Sequence, residues 1–320
     1  MHSFIRRYGT LLGFLAILVF FTVMLPGTFP TARNWLNITQ QTSMLMVVAA
    51  GMTIVMVMGD FDLSVGSMAS LAGIVAALAM AAGQPVWAAV ALALGAGLLG
   101  GVFNGAMVSL VGILPFIATL ATMTMFSGLA FVVSGGKTIS GRAIPEAFGN
   151  FARGGLPLGE WGGVAISLPS LSIVALVVVV LVWVLLEQTT FGRRLYAIGG
   201  NMEAAHLSGV PVRRLRLAAF ALTGLFAALS GLMYASRVAS ANPVQGSGLM
   251  LNAIAAVFLG TTMSRHGEPR ILGTIIGVLV LGVLDNGLTQ MSVDSYIRQV
   301  LVGGLILLAV AASSVSQGRR

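Results

Sequence analysis

Apolar positions along this chain come in long uninterrupted runs, with polar residues confined to short breaks between them. The run Leu171–Leu186 reads LSIVALVVVVLVWVLL, without a charge and without alternation. Such runs match the roughly 20 residues that an α-helix needs to cross a bilayer. A membrane barrel would show segments of about ten residues with alternating polarity instead. The pattern predicts ten helices, over 9–26, 43–59, 64–83, 86–110, 113–134, 168–187, 215–236, 248–263, 271–290 and 296–313. Two longer connections interrupt the series: 135–167, rich in Gly and Pro, and 188–214, rich in Arg. A single transmembrane domain spanning 1–320 is expected, with 188–214 as its one substantial inner segment.

The break between the second and third predicted helices reads GDFDLSVGS (59–67), placing Asp60 and Asp62 between uncharged runs. Carboxylates are costly to bury in such surroundings. Three roles fit them. Asp62 or Ser64 could accept amide protons at the start of the third helix, where the helix dipole favours negative charge. The pair could line a solute path, or an acid could carry protons in a secondary transporter. Two residues apart, they cannot share one helix face.

Shifting the chain by 182 residues lays GLLGGVFNGAM (97–107) over VLVLGVLDNGL (278–288), matching Gly100 to Gly282, Asn104 to Asn286 and Gly105 to Gly287. The same shift lays GDFDLSVGSM over ANPVQGSGLM (241–250), which contains Gln245. It crosses an odd number of helices, so helices 2–5 and 7–10 would form an inverted repeat. In transporters, paired interruptions in such repeats mark the pathway. Asn104 and Asn286, polar at membrane depth, are expected to bond between helices or to line that pathway.

Composition narrows the class. The 320 residues are 57% hydrophobic and 8% charged, with a mean hydropathy of +0.98. Soluble domains carry about 25% charged residues, so an all-α integral membrane protein is expected. The N-terminus has a basic start and an apolar core but no small-residue cleavage site, and reads as an uncleaved first helix. There are no cysteines, which excludes disulfides and thiolate metal sites. The net charge of +8 comes almost wholly from arginines scattered among loops, which fits membrane topology and not a nucleic-acid face. With both termini in the cytoplasm, the inner segments hold Arg6, Arg7, Arg193, Arg194, Arg213, Arg214, Arg216, Arg265, Arg270, Arg319 and Arg320. The outer segments hold Arg33, Lys137, Arg142, Arg153, Arg237 and Arg298. Eleven against six favours this orientation.

Within 188–214, the stretch GGNMEAAHLSGVP (199–211) has the punctuation of a short helix. Asn201 is a good N-cap, Glu203 suits the positive dipole end, Gly209 accepts a left-handed turn and Pro211 ends the helix. It is either a solvated connector or a rigid knob for a cytoplasmic partner. Nucleotide chemistry is not expected in this chain. SGGKT (134–138) ends like a P-loop, but Phe131 stands where the first glycine belongs. His2, His206 and His266 have no metal-ligand spacing, and no nucleophile–base–acid set suggests an enzyme.

The EAA of 203–205 with Gly209 four residues on resembles the coupling motif of permease subunits of ATP-binding-cassette importers. The longer strings TTFGRRLYAIGGNMEAAHLSGVPVRRLRL (189–217), GDFDLSVGS, GSGLMLNAIAAVFLG (246–260) and LGTIIGVLVLGVLDNGL (272–288) resemble the ribose, xylose and arabinose branch. The Phe of GDFDLSVGS, with TTFGR and AIGGN, brings it nearest to the L-arabinose permeases. The resemblance implies a multi-pass permease of the bacterial inner membrane that moves a monosaccharide, L-arabinose or another pentose foremost. Ribose, xylose, galactose or an autoinducer sugar is the alternative cargo. It also implies a second permease copy, a periplasmic sugar-binding protein, and a cytoplasmic ATPase that binds ATP and Mg. Gly200, Asn201, Glu203, Ala204, Ala205 and Gly209 would face that ATPase. The motif's usual Ile and Leu-Pro continuation is replaced by Val210-Pro211-Val212, so only its front half carries over. Outside the family, a proton-coupled secondary transporter is the main alternative.

Overall fold

The structure, a computed structural model, describes residues 2–161, 164–264, 267–304 and 307. Helix α1 (His2–Met24) leads to α2 (Ala32–Met56), α3 (Val65–Ala81), α4 (Val86–Ala106) and α5 (Pro115–Ser134). The connection after α5 then carries strand β1 (Ile139–Ser140), helix α6 (Glu146–Arg153) and the antiparallel hairpin β2 (Gly155–Trp161) and β3 (Val164–Pro169). The chain continues through α7 (Ser170–Trp183), α8 (Thr190–Gly200), α9 (Met202–Leu207) and α10 (Val212–Val238). Strand β4 (Ser240–Ala241) pairs with β1, and α11 (Leu249–Thr261) and α12 (Ile271–Gln290) follow. Residues 295–304 form a further helix, α13. The rest of the predicted span 296–313 lies outside the described residues, as do Arg265, His266, Arg319 and Arg320 from the sequence reading, apart from helical residue 307.

Among the described residues, six helical segments are long and apolar enough to cross a membrane: Ala32–Met56, Val86–Val111, Pro115–Ser134, Ser170–Gln188, Val212–Val238 and Ile271–Gln290. Helices α3 and α11 are apolar but short. The predicted second span began at 43, whereas α2 starts at Ala32, because Thr31 accepts the Asn34 amide and caps the helix through a polar stretch. The Gly- and Pro-rich connection 135–167, to which no element was assigned from the sequence, folds into α6 and the hairpin.

Helices α2 and α10 form the centre. Buried residues surround α2 on most sides, as an apolar helix without a polar face requires. It packs on α7, α10, α11 and α12, while α10 packs on α2, α3, α4 and α6. Hydroxyls bond the layers together: Thr223 Oγ1 donates to the Gly51 carbonyl at 3.0 Å and Ser230 Oγ to the Met44 carbonyl at 2.9 Å. The Thr53 and Thr274 hydroxyls are 2.8 Å apart, linking α2 to α12. Such bonds, together with small residues at the contacts, hold apolar helices together where lipid removes the hydrophobic driving force. The glycines of GAGLLGG serve this purpose, with Gly97 and Gly101 set directly against the α10 backbone.

Candidate functional site

The chain breaks twice beside this centre. After α2, Gly59 turns with φ +82°, residues 60–62 have no regular structure, and a turn at 63–64 leads into α3. After α10, Ala239 turns left-handed with φ 50°, and residues 242–248 lead into α11. The two breaks touch. A Cβ on Gly66 would lie 2.6 Å from the Gly246 carbonyl oxygen, and the Gly246 amide donates to Ser70 Oγ at 2.8 Å. Only glycine permits backbones to pass this closely.

The two carboxylates of the first break have different surroundings. Asp60 receives Arg216 Nε at Oδ2 and Nη2 at Oδ1, both at 2.8 Å, a bidentate pair with side-chain exposures of 6% and 14%. Asp60 therefore binds α10, where Arg216 stands one turn inside the helix, and not the start of α3. Asp62 is buried; its Oδ1 accepts the Ser64 amide at 2.9 Å and the Ser64 hydroxyl at 2.6 Å. This is a turn closed two residues on, not a bond to the helix's first-turn amides. Ser64 occupies the N-cap position, but its side chain makes no capping bond. Asn104 Nδ2 donates to Ser64 Oγ at 2.8 Å, so Asp62, Ser64 and Asn104 form one buried cluster between the break and α4. Asp62 Oδ2 and Asn104 Oδ1 are buried there without a partner.

The remaining candidates lie elsewhere. Asn286, the repeat mate of Asn104, accepts from Gln290 of its own helix at 2.8 Å; Gln290 Nε2 also reaches Asn34 of α2 at 2.9 Å. Asn286 faces a polar cavity of about 400 Å³ near the start of α2. Of the two roles expected of it, bonding between helices or lining a path, the bond between helices is made by Gln290, which stands one turn further along the same face. Gln245 Oε1 accepts the Asn242 amide at 3.0 Å and shapes the second break, leaving its Nε2 buried without a partner. The six candidates therefore divide among four places, the Asp60–Arg216 pair, the Asp62–Ser64–Asn104 cluster, the second break at Gln245 and the Asn286–Gln290 pair, and do not converge on one.

The segment 188–214 holds two helices where one was expected. Thr189 accepts the Gly192 amide and starts α8; Asn201 ends α8 and caps α9 by accepting the Ala204 amide at 2.9 Å. Glu203 lies in the first turn of α9, and Gly209 has φ +81° after its last turn. Gly200, Asn201, Glu203, Ala204 and Gly209 are exposed. Ala205 is buried at 6%, so it is corrected from partner-facing to inward-facing: α9 has to rest on something, and Ala205 is its small inward side. Leu207, not singled out from the sequence, is 81% exposed on the same helix.

Helix α8 rests on the first break. A Cβ on Gly199 would run into the Val57 carbonyl. Tyr196 donates to Glu187 Oε1 at 3.0 Å, with the Pro269 carbonyl at 3.2 Å, and Arg270 lies 5.9 Å above its ring. Burial, then the Glu187 carboxylate, pushes the Tyr196 phenol above its ordinary range. Among the described residues, no group of three His, Cys, Asp or Glu could hold a metal ion. From the sequence Arg216 reads only as an inner charge; the signal for more was its place inside the predicted span 215–236, beyond the exposed pair Arg213 and Arg214.

The family described as branched-chain amino acid transport system / permease component matches residues 34–310. The ribose import permease protein of Bacillus subtilis is 39% identical over 305 residues, covering 95% of this chain and 92% of its own. The ribose import permease protein of Escherichia coli is 37% identical, with 98% and 96% covered. The xylose transport system permease protein of Escherichia coli is 33% identical, with 95% and 91% covered. No solved structure matches the chain.

Proposed function

The chain belongs to the branched-chain amino acid transport system / permease component family, beside the ribose- and xylose-type permeases of ATP-binding-cassette importers, and on that premise we propose that it carries a pentose into the cytoplasm. Ribose and xylose come first as cargo because the relatives bear those names. L-arabinose rests on sequence motifs around Phe61 and Phe191 alone, and those relatives give it no support. A separate ATPase binds ATP and Mg, a periplasmic sugar-binding protein delivers the cargo, and two permease copies form the working unit. The chain sits in the bacterial inner membrane with ten spans, both termini cytoplasmic, and helices 2–5 and 7–10 as inverted halves. The exchange of partners at the centre, where α2 packs on α11 and α12 and α10 packs on α3 and α4, supports that repeat.

One observation carries the mechanism: the inner helix α8 bears directly on the first helix break, and α9 packs on α8. In this reading the ATPase grips Gly200, Asn201, Glu203, Ala204, Gly209 and the neighbouring Leu207. Movement of α8 passes through Gly199 to Val57, and movement of α10 passes through Arg216 to Asp60. The breaks are bistable joints at which the halves shift to open the path on alternate sides. No carboxylate has to carry a proton. Asp60 is committed to Arg216, and Asp62 to Ser64.

The test is uptake of labelled ribose, xylose and L-arabinose by cells expressing the chain with its ATPase and binding protein. Uptake is expected to vanish with a hydrolysis-dead ATPase and to survive a proton uncoupler at constant ATP. Either opposite result overturns the importer reading.

A further inference from the structure

Between the two touching breaks and α5 lies a cavity of about 510 Å³ that includes none of the carboxylates or amides discussed above. Its polar lining is hydroxyl: Ser67 and Ser70 from the first turns of α3, Thr124 and Ser127 from α5, and Ser247 from the second break. Methionines and the Phe131 ring supply most of the remaining wall. No lining residue is charged. The size falls within the range of small-ligand sites, roughly 300–1,000 Å³.

The hydroxyls are not equivalent. Ser70 Oγ is occupied by the Gly246 amide, Ser67 Oγ donates to the Ser64 carbonyl at 2.9 Å, and Thr124 Oγ1 donates to the Leu120 carbonyl at 3.3 Å. Among the described residues, the hydroxyls of Ser127 and Ser247 have no hydrogen-bond partner, and they approach the cavity from different elements. We propose that this cavity is the transit site for a neutral polyhydroxylated solute, with Ser127 and Ser247 as its specificity-determining hydroxyls. The inference rests on the cargo class proposed above and gives it a location.

Charge decides the ligand class. An amino acid, the cargo in the family's description, would bring a carboxylate and an ammonium into a lining that can pair neither, at the full cost of desolvation. The helix start at α3 offers a carboxylate nothing further, because Asp62 already supplies negative charge there. A sugar brings only hydroxyls, which bond to Ser127 and Ser247, and C–H faces, which pack against Phe131 and the methionines. With two available hydroxyls the cavity holds its solute weakly, as a transit site must.

The chain has no cysteine, so Ser127→Cys and Ser247→Cys each introduce a single, nearly isosteric thiol. In proteoliposomes with the full chain, its ATPase and its binding protein, both variants are expected to import ribose or xylose more slowly than the wild type, because a thiol is the weaker hydrogen-bond partner, with enough residual uptake to measure inhibition. A bulky methanethiosulfonate reagent should then lower uptake roughly tenfold by filling the cavity, and dithiothreitol should restore it. Binding-protein-stimulated ATPase activity should persist, and the treated wild-type complex and Ser140→Cys, outside the cavity, should be unaffected. Ribose or xylose should slow modification of Cys at 127, and valine should not. Unchanged uptake after complete modification at both positions overturns the cavity assignment while leaving the importer reading intact. Protection by valine and not by sugar overturns the cavity's neutral-solute assignment and counts against sugar as cargo. Failure of the wild-type complex to import any sugar, with ATPase and binding protein present, overturns the proposed function itself.

Discussion

Replacing Asp60 with Asn would leave the Arg216 guanidinium, 14% exposed, beside a group that no longer carries a counter-charge. Breaking a buried pair on one side costs about 3 kcal/mol. Asp60→Asn is therefore expected to lower the thermal unfolding midpoint of the purified protein and to abolish most uptake. Asp62 gives the opposite expectation. Its Oδ1 alone accepts from Ser64, while Oδ2 is buried without a partner. Asn keeps the accepting oxygen and gives up a charge that no cation pairs among the described residues. Asp62→Asn should change stability by less than about 1 kcal/mol, measured in the same thermal assay. A larger loss at 62 than at 60 would mean that the ion pair is not what holds the break. The sequence marks both acids as exceptional but not which is paired, because the deciding partner lies 156 residues away on α10.

At the scale of elements, α9 and α8 divide two tasks that point mutations can separate. The exposed side chain of Leu207 contributes little to folding, so Leu207→Ala should leave the thermal midpoint unchanged. Docking faces concentrate their energy in a few exposed apolar and charged anchors. Leu207→Ala and Glu203→Ala should each weaken co-purification of the ATPase, by about tenfold in affinity. Unchanged association for both would exclude α9 as the docking element. Gly199 lies on the other side of the unit, against Val57. Gly199→Ala must push α8 away from the break, at about 1–3 kcal/mol of overpacking. The expected result is an assembled complex that hydrolyses ATP with reduced uptake. Much of this unit is legible in the chain: Asn201, Gly209 and Pro211 fix α9 through local backbone chemistry. What is not legible is contact. Nothing local to Gly199 or Ala205 says which backbone lies beneath it, so Ala205 reads as exposed and turns out buried.

For the whole molecule, the sequence supplies the positions of the six long apolar helices well, because a segment in lipid must be apolar and internally bonded. It supplies the break pair too, through the 182-residue offset. It does not supply the cavity, whose hydroxyls come from three separate elements and would each pass for ordinary helix-packing serines. Orientation rests on charge bias alone, and it is the premise on which α9 faces the ATPase. The absence of cysteine makes that premise directly measurable. Ser140, next to the outer helix α6, and Ser208, at the end of α9, are both exposed and lie in the two long connections assigned to opposite sides. In intact cells of an outer-membrane-permeabilised strain, a membrane-impermeant maleimide should label Ser140→Cys at once. Ser208→Cys should react only after the inner membrane is opened. Four exposed arginines, Arg193, Arg194, Arg213 and Arg214, lie in or beside α8 and α9, and on the proposed orientation they are what holds this side to the cytoplasm. Replacing all four with Gln should make part of the Ser208→Cys population accessible from outside. If Ser208→Cys reacts first in the unaltered background, the molecule is inverted, and α9 then has no access to ATP-driven machinery.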